Sequence, residues 1–314
     1  MKNLVLGVAK GYSFEQLLPF VASLRRVYAG DVCLLYSDIT EDTIEGLQQY
    51  NIDLVPFTEN SIDFGFKRSY VYQLLNRLHQ SPLNYLYPTT KLVGGLVNLV
   101  SRGSYVSKSR IAIKLLNVFC VRFPLYYLYL LGKKYDNVML TDVRDVIFQR
   151  DPFDFDLGNE LCVFLEDRRT KIRNCPFNAG WLSRGFSVQT LEDLGQHTIS
   201  CSGVTIGSYD AVLRYLEAMI DHMIPLRSHE FGIDQGVHNF LFRKRLLKDV
   251  RVYENGRAPV FTMGRVQDLP ASFNDEGFLL NEDGTIPNVL HQYDRHLENR
   301  ILTMNQHTFK FKPI

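Results

Sequence analysis

The strongest constraint on the fold is an alternation of strand and helix periods through the first sixty residues. Leu4 to Ala9 is a short apolar run that ends at Lys10-Gly11. Phe14, Leu17, Leu18, Val21 and Leu24 then recur at helical spacing, behind Ser13 and Gln16 in capping-box positions. Val32 to Tyr36 is a second strand-like run, closed by Ser37-Asp38; Glu41 to Tyr50 reads as a helix and Ile52 to Pro56 as a third strand. Strands separated by helices imply parallel pairing, so the expected fold class is α/β.

The rest of the chain is less regular. Phe66 to Leu78 reads as an amphipathic helix. Residues 81–108 carry Pro82, Pro88, Gly94, Gly95 and Gly103 and break the rhythm, so they are expected to form an insertion or lid. Ile111 to Leu131 reads as one long helix, Val138 to Thr141 as a buried strand, and Leu161 to Leu165 and Val204 to Ile206 as further strands. Helices are expected over Tyr209–Met223 and Asp234–Leu246. No repeat, low-complexity segment or linker divides the chain, which implies a single domain over residues 1–314.

Composition narrows the function classes. The chain has 314 residues, 46% of them hydrophobic, enough for a sizeable core. A net charge of +1 gives no reason to expect a nucleic-acid partner, which needs a basic face. The five cysteines show no zinc-type spacing and read as reduced, buried thiols. No secretory leader and no apolar run of membrane-spanning length is visible, so the expected location is cytoplasmic. The basic run Arg243-Lys244-Arg245 with Lys248 and Arg251 reads as a solvated helix end. In a second reading it joins Lys91, Arg102, Lys108 and Arg110 in peripheral docking on an anionic membrane that carries a lipid-linked acceptor.

The residues that carry chemistry follow the strand Val138–Thr141, which runs straight into Asp142-Val143-Arg144-Asp145. On a continuing strand, two acids three apart would face opposite sides. In a turn at the strand's carboxyl end they can converge, and that end is where open α/β sheets bind ligands. Converging carboxylates repel each other and lose hydration, so they usually enclose a cation. Oxygen donors suit Mn2+ or Mg2+. The competing reading makes Asp142 a turn cap and Asp145 the ion-pair partner of Arg144 or another surface cation.

Asp142-Val143-Arg144-Asp145 with Asp151-Pro152 downstream resembles the Asp-x-Asp region of GT-A fold glycosyltransferases. The register relative to Asp151-Pro152 puts Asp145 at the second acid of that motif. Val143 stands where the first acid is usual, so Asp142 would be its substitute. Three further patches resemble the same family in the same order: Ser202-Gly203-Val204 of the sugar site, with Cys201 in place of the usual Asn; Asp234-Gln235 opening a helix; and His291 after a short strand.

The resemblance implies a GT-A (Rossmann-like), mixed, mainly parallel sheet flanked by helices. It also implies a metal held by Asp142, Asp145 and His291, and Asp234 nearest the reacting carbon. Donor contacts would come from Ala9, Lys10, Gly11 and Tyr12 after the first strand, and from Asp142, Arg144, Ser202 and Gly203. Arg68 and Arg122 are candidates for the diphosphate. The partners implied are a UDP- or GDP-sugar and a sugar, lipid-linked or protein acceptor. Trp181, the only tryptophan, is either a core residue or a platform for a sugar face.

Each patch also has a plainer reading: a turn at Ser202-Gly203, a helix-start acid at Asp234, a solvated loop around His291. Other classes remain open at this point. A nucleotidyltransferase that makes nucleotide sugars would need a better Gly-rich loop than Gly7 to Gly11. A phosphohydrolase would need an acid after the first strand, where none lies between Leu4 and Ser13. A non-catalytic nucleotide- or sugar-binding module is compatible with Val143 and Cys201.

Overall fold

Alternate residues of the first strand feed two different cores. β1 spans Asn3–Lys10. Leu4 and Leu6 join one apolar cluster while Val5 and Ala9 join another. A strand buried on both faces is the mark of a sheet covered by helices on each side. The computed structural model describes residues 1–58, 88–226, 230–264, 266 and 273–296. The expected helix Phe66–Leu78 and the candidate Arg68 lie outside these residues, as do residues 81–87 of the expected insertion.

α1 (Phe14–Val27), β2 (Asp31–Ser37), α2 (Glu41–Gln48) and β3 (Asp53–Pro56) follow in the expected order. The start of α1 is capped as its sequence implies, with the Ser13 N–H donating to the Gln16 side chain at 3.0 Å. β2 pairs in parallel with both β1 and β3, and β4 (Asn137–Thr141) pairs in parallel with the other edge of β1, placing Gly7 beside Thr141. β6 is Leu161–Leu165, β7 is Ser200–Ser208 and β8 is Val250–Tyr253. The seven-stranded order is β3-β2-β1-β4-β7-β6-β8, with β7 antiparallel to both neighbours. This is the mixed, mainly parallel α/β sheet flanked by helices that the sequence implied. A second sheet of three short strands, β5 (Val146–Phe148), β9 (Val260–Thr262) and β10 (Val289–His291), runs in the order β5-β10-β9.

Several elements differ from the sequence reading, each for a local reason. Residues 88–108 are largely helical: α3 is Pro88–Ser101 and α4 is Tyr105–Leu115. The long helix expected over Ile111–Leu131 is broken at Leu116-Asn117. The Asn117 side chain accepts from the Phe119 and Cys120 N–H groups and starts α5 (Val118–Leu130) afresh. Apolar periodicity alone does not register that cap. Two helices to which the sequence reading assigned nothing, α6 (Pro176–Gly185) and α7 (Val188–Leu194), follow β6; Pro176 at the first turn needs no N–H partner. Ser202 and Gly203 lie inside β7, not in a turn before it. α8 matches its expected span, Tyr209–Met223, while α9 runs Ile233–Arg243, shorter than expected because Arg245 takes a left-handed φ of 56°.

Arg243, read as part of a solvated helix end, and Lys108, a candidate for membrane docking, are both engaged with the protein. Lys108 is buried and donates to Asp221 at 2.5 Å, and Arg243 donates to the Thr198 carbonyl. All five cysteines are buried free thiols. No helix among the described residues is long and apolar enough to cross a membrane.

Candidate active site

Two strand registers bring the site together. β4 pairs with β7 so that Thr141 faces Val204, which sets Gly203 against the residue that follows β4. There the Asp142 N–H donates to the Gly203 carbonyl at 2.7 Å. β5 pairs with β10 so that Val146 faces His291, and the Gln292 N–H closes the ladder on the Asp145 carbonyl at 2.6 Å. The turn Asp142–Asp145 is thus held from both ends. Within it Val143 is buried in the core between β1 and β4 and lies over Gly7, where a Cβ would collide with it. An apolar side chain at the motif's usual first acid is therefore a packing residue, and the carboxylate that faces the site belongs to Asp142.

The expected metal ligands do converge. One oxygen of Asp142, one of Asp145 and one ring nitrogen of His291 lie within 4.8 Å of one another. The His291 Nε2 stands 3.6 Å from Asp142 and 4.0 Å from Asp145. His291 is fully buried, and among the described residues neither of its ring nitrogens makes a hydrogen bond. A buried imidazole without a partner is costly, and ligation is one of the few ways to satisfy it. Gly203 forms the floor. A Cβ there would come within 2.5 Å of the His291 ring and 2.6 Å of the Asp142 carboxylate, so only glycine leaves the space open. Two carboxylates and one imidazole suit Mn2+ or Mg2+, and the donor set fits the ion that the sequence implied.

Charges around the turn are unequal. Burial raises the Asp142 carboxyl, but Arg122 and His291 outweigh it and hold it at about 2. Burial pushes Asp145 up, against the pull of His291 and with the push of Asp142. Burial opposes a charge on His291, yet Cys201, Asp142 and Asp145 raise its affinity for a proton well above the ordinary value. The pocket thus favours positive charge at this point.

Arg122, a candidate for the diphosphate, lies within the site and is paired with its acids. Its guanidinium spans the two acidic groups, donating to Asp142 at 2.5 Å and to Asp234 at 2.6 Å. α5 carries it and α9 carries Asp234, which is buried in the first turn of that helix. Asp234 is pushed up by burial and pulled down by Arg122. Beside it, the Gln235 Oε1 accepts from the Ser202 N–H at 2.8 Å and from the Ser202 hydroxyl at 2.9 Å, while its amide donates to Glu166 at 3.3 Å. Gln235 and Glu166 were not among the site candidates. Glu166 follows the buried strand β6, the same signal that exposed Asp142.

The loop after β1 lies alongside. The Ala9 side chain is in the core, so only its backbone can face a ligand. Lys10 is 3.8 Å from Asp38. Gly11 takes a φ of 66° and donates to the Ser37 carbonyl at 3.0 Å. Tyr12 is half-buried; burial, then Asp142 and Asp145, raise its hydroxyl, which puts its ring beside the acidic turn. Arg144 pairs with Asp294 at 2.6 Å, and Arg295 stands 3.8 Å from Asp145.

Aromatic side chains rim the Arg122–Asp234 pair. Phe119, one turn before Arg122, meets the exposed Phe231, three residues before Asp234, edge-on at 3.9 Å between centroids. Trp181 is half-buried, packs against the main core cluster and donates its indole N–H to the Phe231 carbonyl at 2.8 Å. It packs on Gly232 and Gly236, where any side chain would displace it.

No family model and no curated protein matches this chain. Similar solved structures include core-mannan synthase A (CmsA/Ktr4) from Aspergillus fumigatus in its Mn/GDP form, at 14% identity and a TM-score of 0.41, covering 81% of this chain and 73% of that one. Galactosyltransferase LgtC in complex with donor and acceptor sugar analogues is similar at 13% identity and a TM-score of 0.46, covering 92% of this chain and 87% of that one. An active-site mutant of LgtC is similar at 11% identity, a TM-score of 0.46 and the same coverage, 92% and 87%. The resemblance to GT-A glycosyltransferases is carried by this chain's own residues: a mixed, mainly parallel sheet between helices, with two carboxylates and a histidine gathered where its fourth strand ends.

Proposed function

We propose that this chain is a glycosyltransferase that moves a sugar from a nucleoside-diphosphate sugar to an acceptor hydroxyl. The observation that carries this reading is the Asp142–Asp145–His291 group, closed below by Gly203 and centred on a buried imidazole without a hydrogen bond. Those three residues would hold Mn2+ or Mg2+, which when bound neutralises charge on a leaving diphosphate. Tyr12 offers a face for the base, and the backbone of Ala9, Lys10 and Gly11 offers polar contacts to the nucleoside. Ser202 and Gly203 line the donor side.

In this reading Asp234 is the carboxylate nearest the reacting carbon of the sugar. Arg122 holds one of its oxygens and fixes its direction, so Asp234 enters the reaction as an oriented group. If the reaction inverts the anomeric carbon, Asp234 takes the acceptor proton. If it retains, the Asp234 charge stabilises the developing oxocarbenium ion. The aromatic rim of Phe119, Trp181 and Phe231 offers an apolar face to the acceptor.

The decisive experiment is a panel of UDP- and GDP-sugars with excess Mn2+ or with EDTA, reading nucleoside-diphosphate release and product anomer. Release from one donor, lost with EDTA and in Asp145→Ala, establishes the reading and names the donor. No release from any donor, with no metal-assisted nucleotide binding by calorimetry, refutes it.

A further inference from the structure

The net charge of +1 conceals a strong asymmetry. Between Asp63 and Asp136 the chain contains no acidic residue and eleven Lys or Arg. All thirty-four acids lie elsewhere, against the remaining twenty-four Lys and Arg. Among the described residues, Lys108 is neutralised inside the fold by Asp221, and Arg122 by Asp142 and Asp234. Arg102 and Arg110 are exposed, and neither forms an ion pair among the described residues.

The same segment contains a helix that is apolar on two sides. From Leu92 to Ser101, α3 has no charged residue. Val93 and Val97 face the core, and the helix lies close enough for a Cβ at Gly94 to sit 3.3 Å from Pro225. Leu96, Leu99 and Val100 flank that core-facing row on its solvent side at helical spacing, 54%, 74% and 63% exposed. A surface helix normally turns a polar face to water, so three large apolar side chains together on the outer face mark an interaction surface. Arg102 lies two residues after the last of them, on the turn into α4.

We infer that the outer face of α3, with Arg102 and Arg110, docks on an anionic phospholipid surface. An apolar face inserted at headgroup level, flanked by exposed arginines in a segment with no carboxylate to repel phosphate, is the chemistry such a surface selects. A second copy of the chain would bring the same arginines against themselves, which the charge disfavours. α3 packs at Pro225 and α5 bears Arg122, so the docked segment continues into the walls of the candidate active site. The inference does not depend on the transferase reading, because membrane binding is measured without donor or acceptor.

The test uses the full chain and vesicles of phosphatidylcholine alone or mixed with phosphatidylglycerol, with bound protein measured by co-sedimentation. The expected result is binding to the mixed vesicles only, weakened at high salt. Arg102→Glu with Arg110→Glu should weaken it on the order of tenfold or more. Leu96→Ser, Leu99→Ser and Val100→Ser together should remove it, with unchanged circular dichroism and thermal midpoint showing that the fold is intact. Equal binding to both vesicle types, or none to either, overturns the inference. So does a dimer in solution that the triple serine variant dissociates, which would assign the face to a second copy.

Discussion

Two histidines in this molecule are equally buried and oppositely served. His238, on α9, is held by Ser200 at one ring nitrogen and Tyr215 at the other, both at 2.8 Å. His291, at the end of β10, has a hydrogen bond at neither. Burial without a counter-charge pushes His238 down to about 3, so it is a neutral strut between β7 and α8. The acids around His291 push the other way. A fully bonded imidazole belongs to the fold. His291 instead faces two carboxylates over a glycine floor, at 3.6 and 4.0 Å.

The same contrast divides the charges on the two sides of Asp142. Toward α9, Arg122 answers both Asp142 and Asp234. Toward β10, Asp142, Asp145 and His291 answer one another poorly. Substitutions should therefore separate stability from activity. Arg122→Leu leaves two acids without their cation and should lower stability by about 3–5 kcal/mol, read from the urea midpoint. An unchanged midpoint would mean that this pair does not bind the helices together.

His291→Ala should cost on the order of a hundredfold to a thousandfold in kcat/KM, about 2.7–4 kcal/mol of transition-state stabilisation. In EDTA its unfolding midpoint should fall less than that of His238→Ala. The latter strands the Ser200 and Tyr215 hydroxyls and should lose about 2–3 kcal/mol. Reversal of that order would erase the distinction between strut and ligand.

pH sharpens the same comparison. The folded His238 stays neutral while the unfolded imidazole takes up a proton near pH 6.5, so stability is lost as pH falls through that value. Between pH 7.5 and 5 this group should account for a loss of about 2 kcal/mol. His238→Gln, which does not titrate, should show a flatter profile by that amount. The smallest effect is expected from Gly203→Ala. Its methyl group enters the space between His291 and Asp142 and should weaken Mn2+ binding by about tenfold or more, roughly 1.4 kcal/mol, as measured by calorimetry.

How much of this was legible depended on whether the signal was local. Asp142 and Asp145 were visible because a buried strand and its acids are contiguous, and the first three strands were visible because their hydrophobic period is. Arg122 was recognised as a candidate but given to the diphosphate. Its bond to Asp234 joins residues 112 apart, and no periodicity encodes which acid a guanidinium will reach. Ser202 and Gly203 looked like a turn because glycine usually marks one. Here the glycine sits within a strand because neighbouring side chains need its missing Cβ. Glu166 was legible by the rule that found Asp142, an acid directly after a buried strand. Val143 looked like a departure from a motif until its packing on Gly7 showed that the acid had moved one position along the turn.

The pairing of β5 with β10 has a consequence for how the molecule comes into being. During synthesis the sheet from β1 to β7 can form as it emerges, because N-terminal parts fold first. Asp142 and Asp145 are then in place while His291 has yet to be made. A chain interrupted before β10 would hold an acidic turn with no imidazole and no strand to brace it. The group of Asp142, Asp145 and His291 is completed only when a late stretch of chain returns to the middle of the fold.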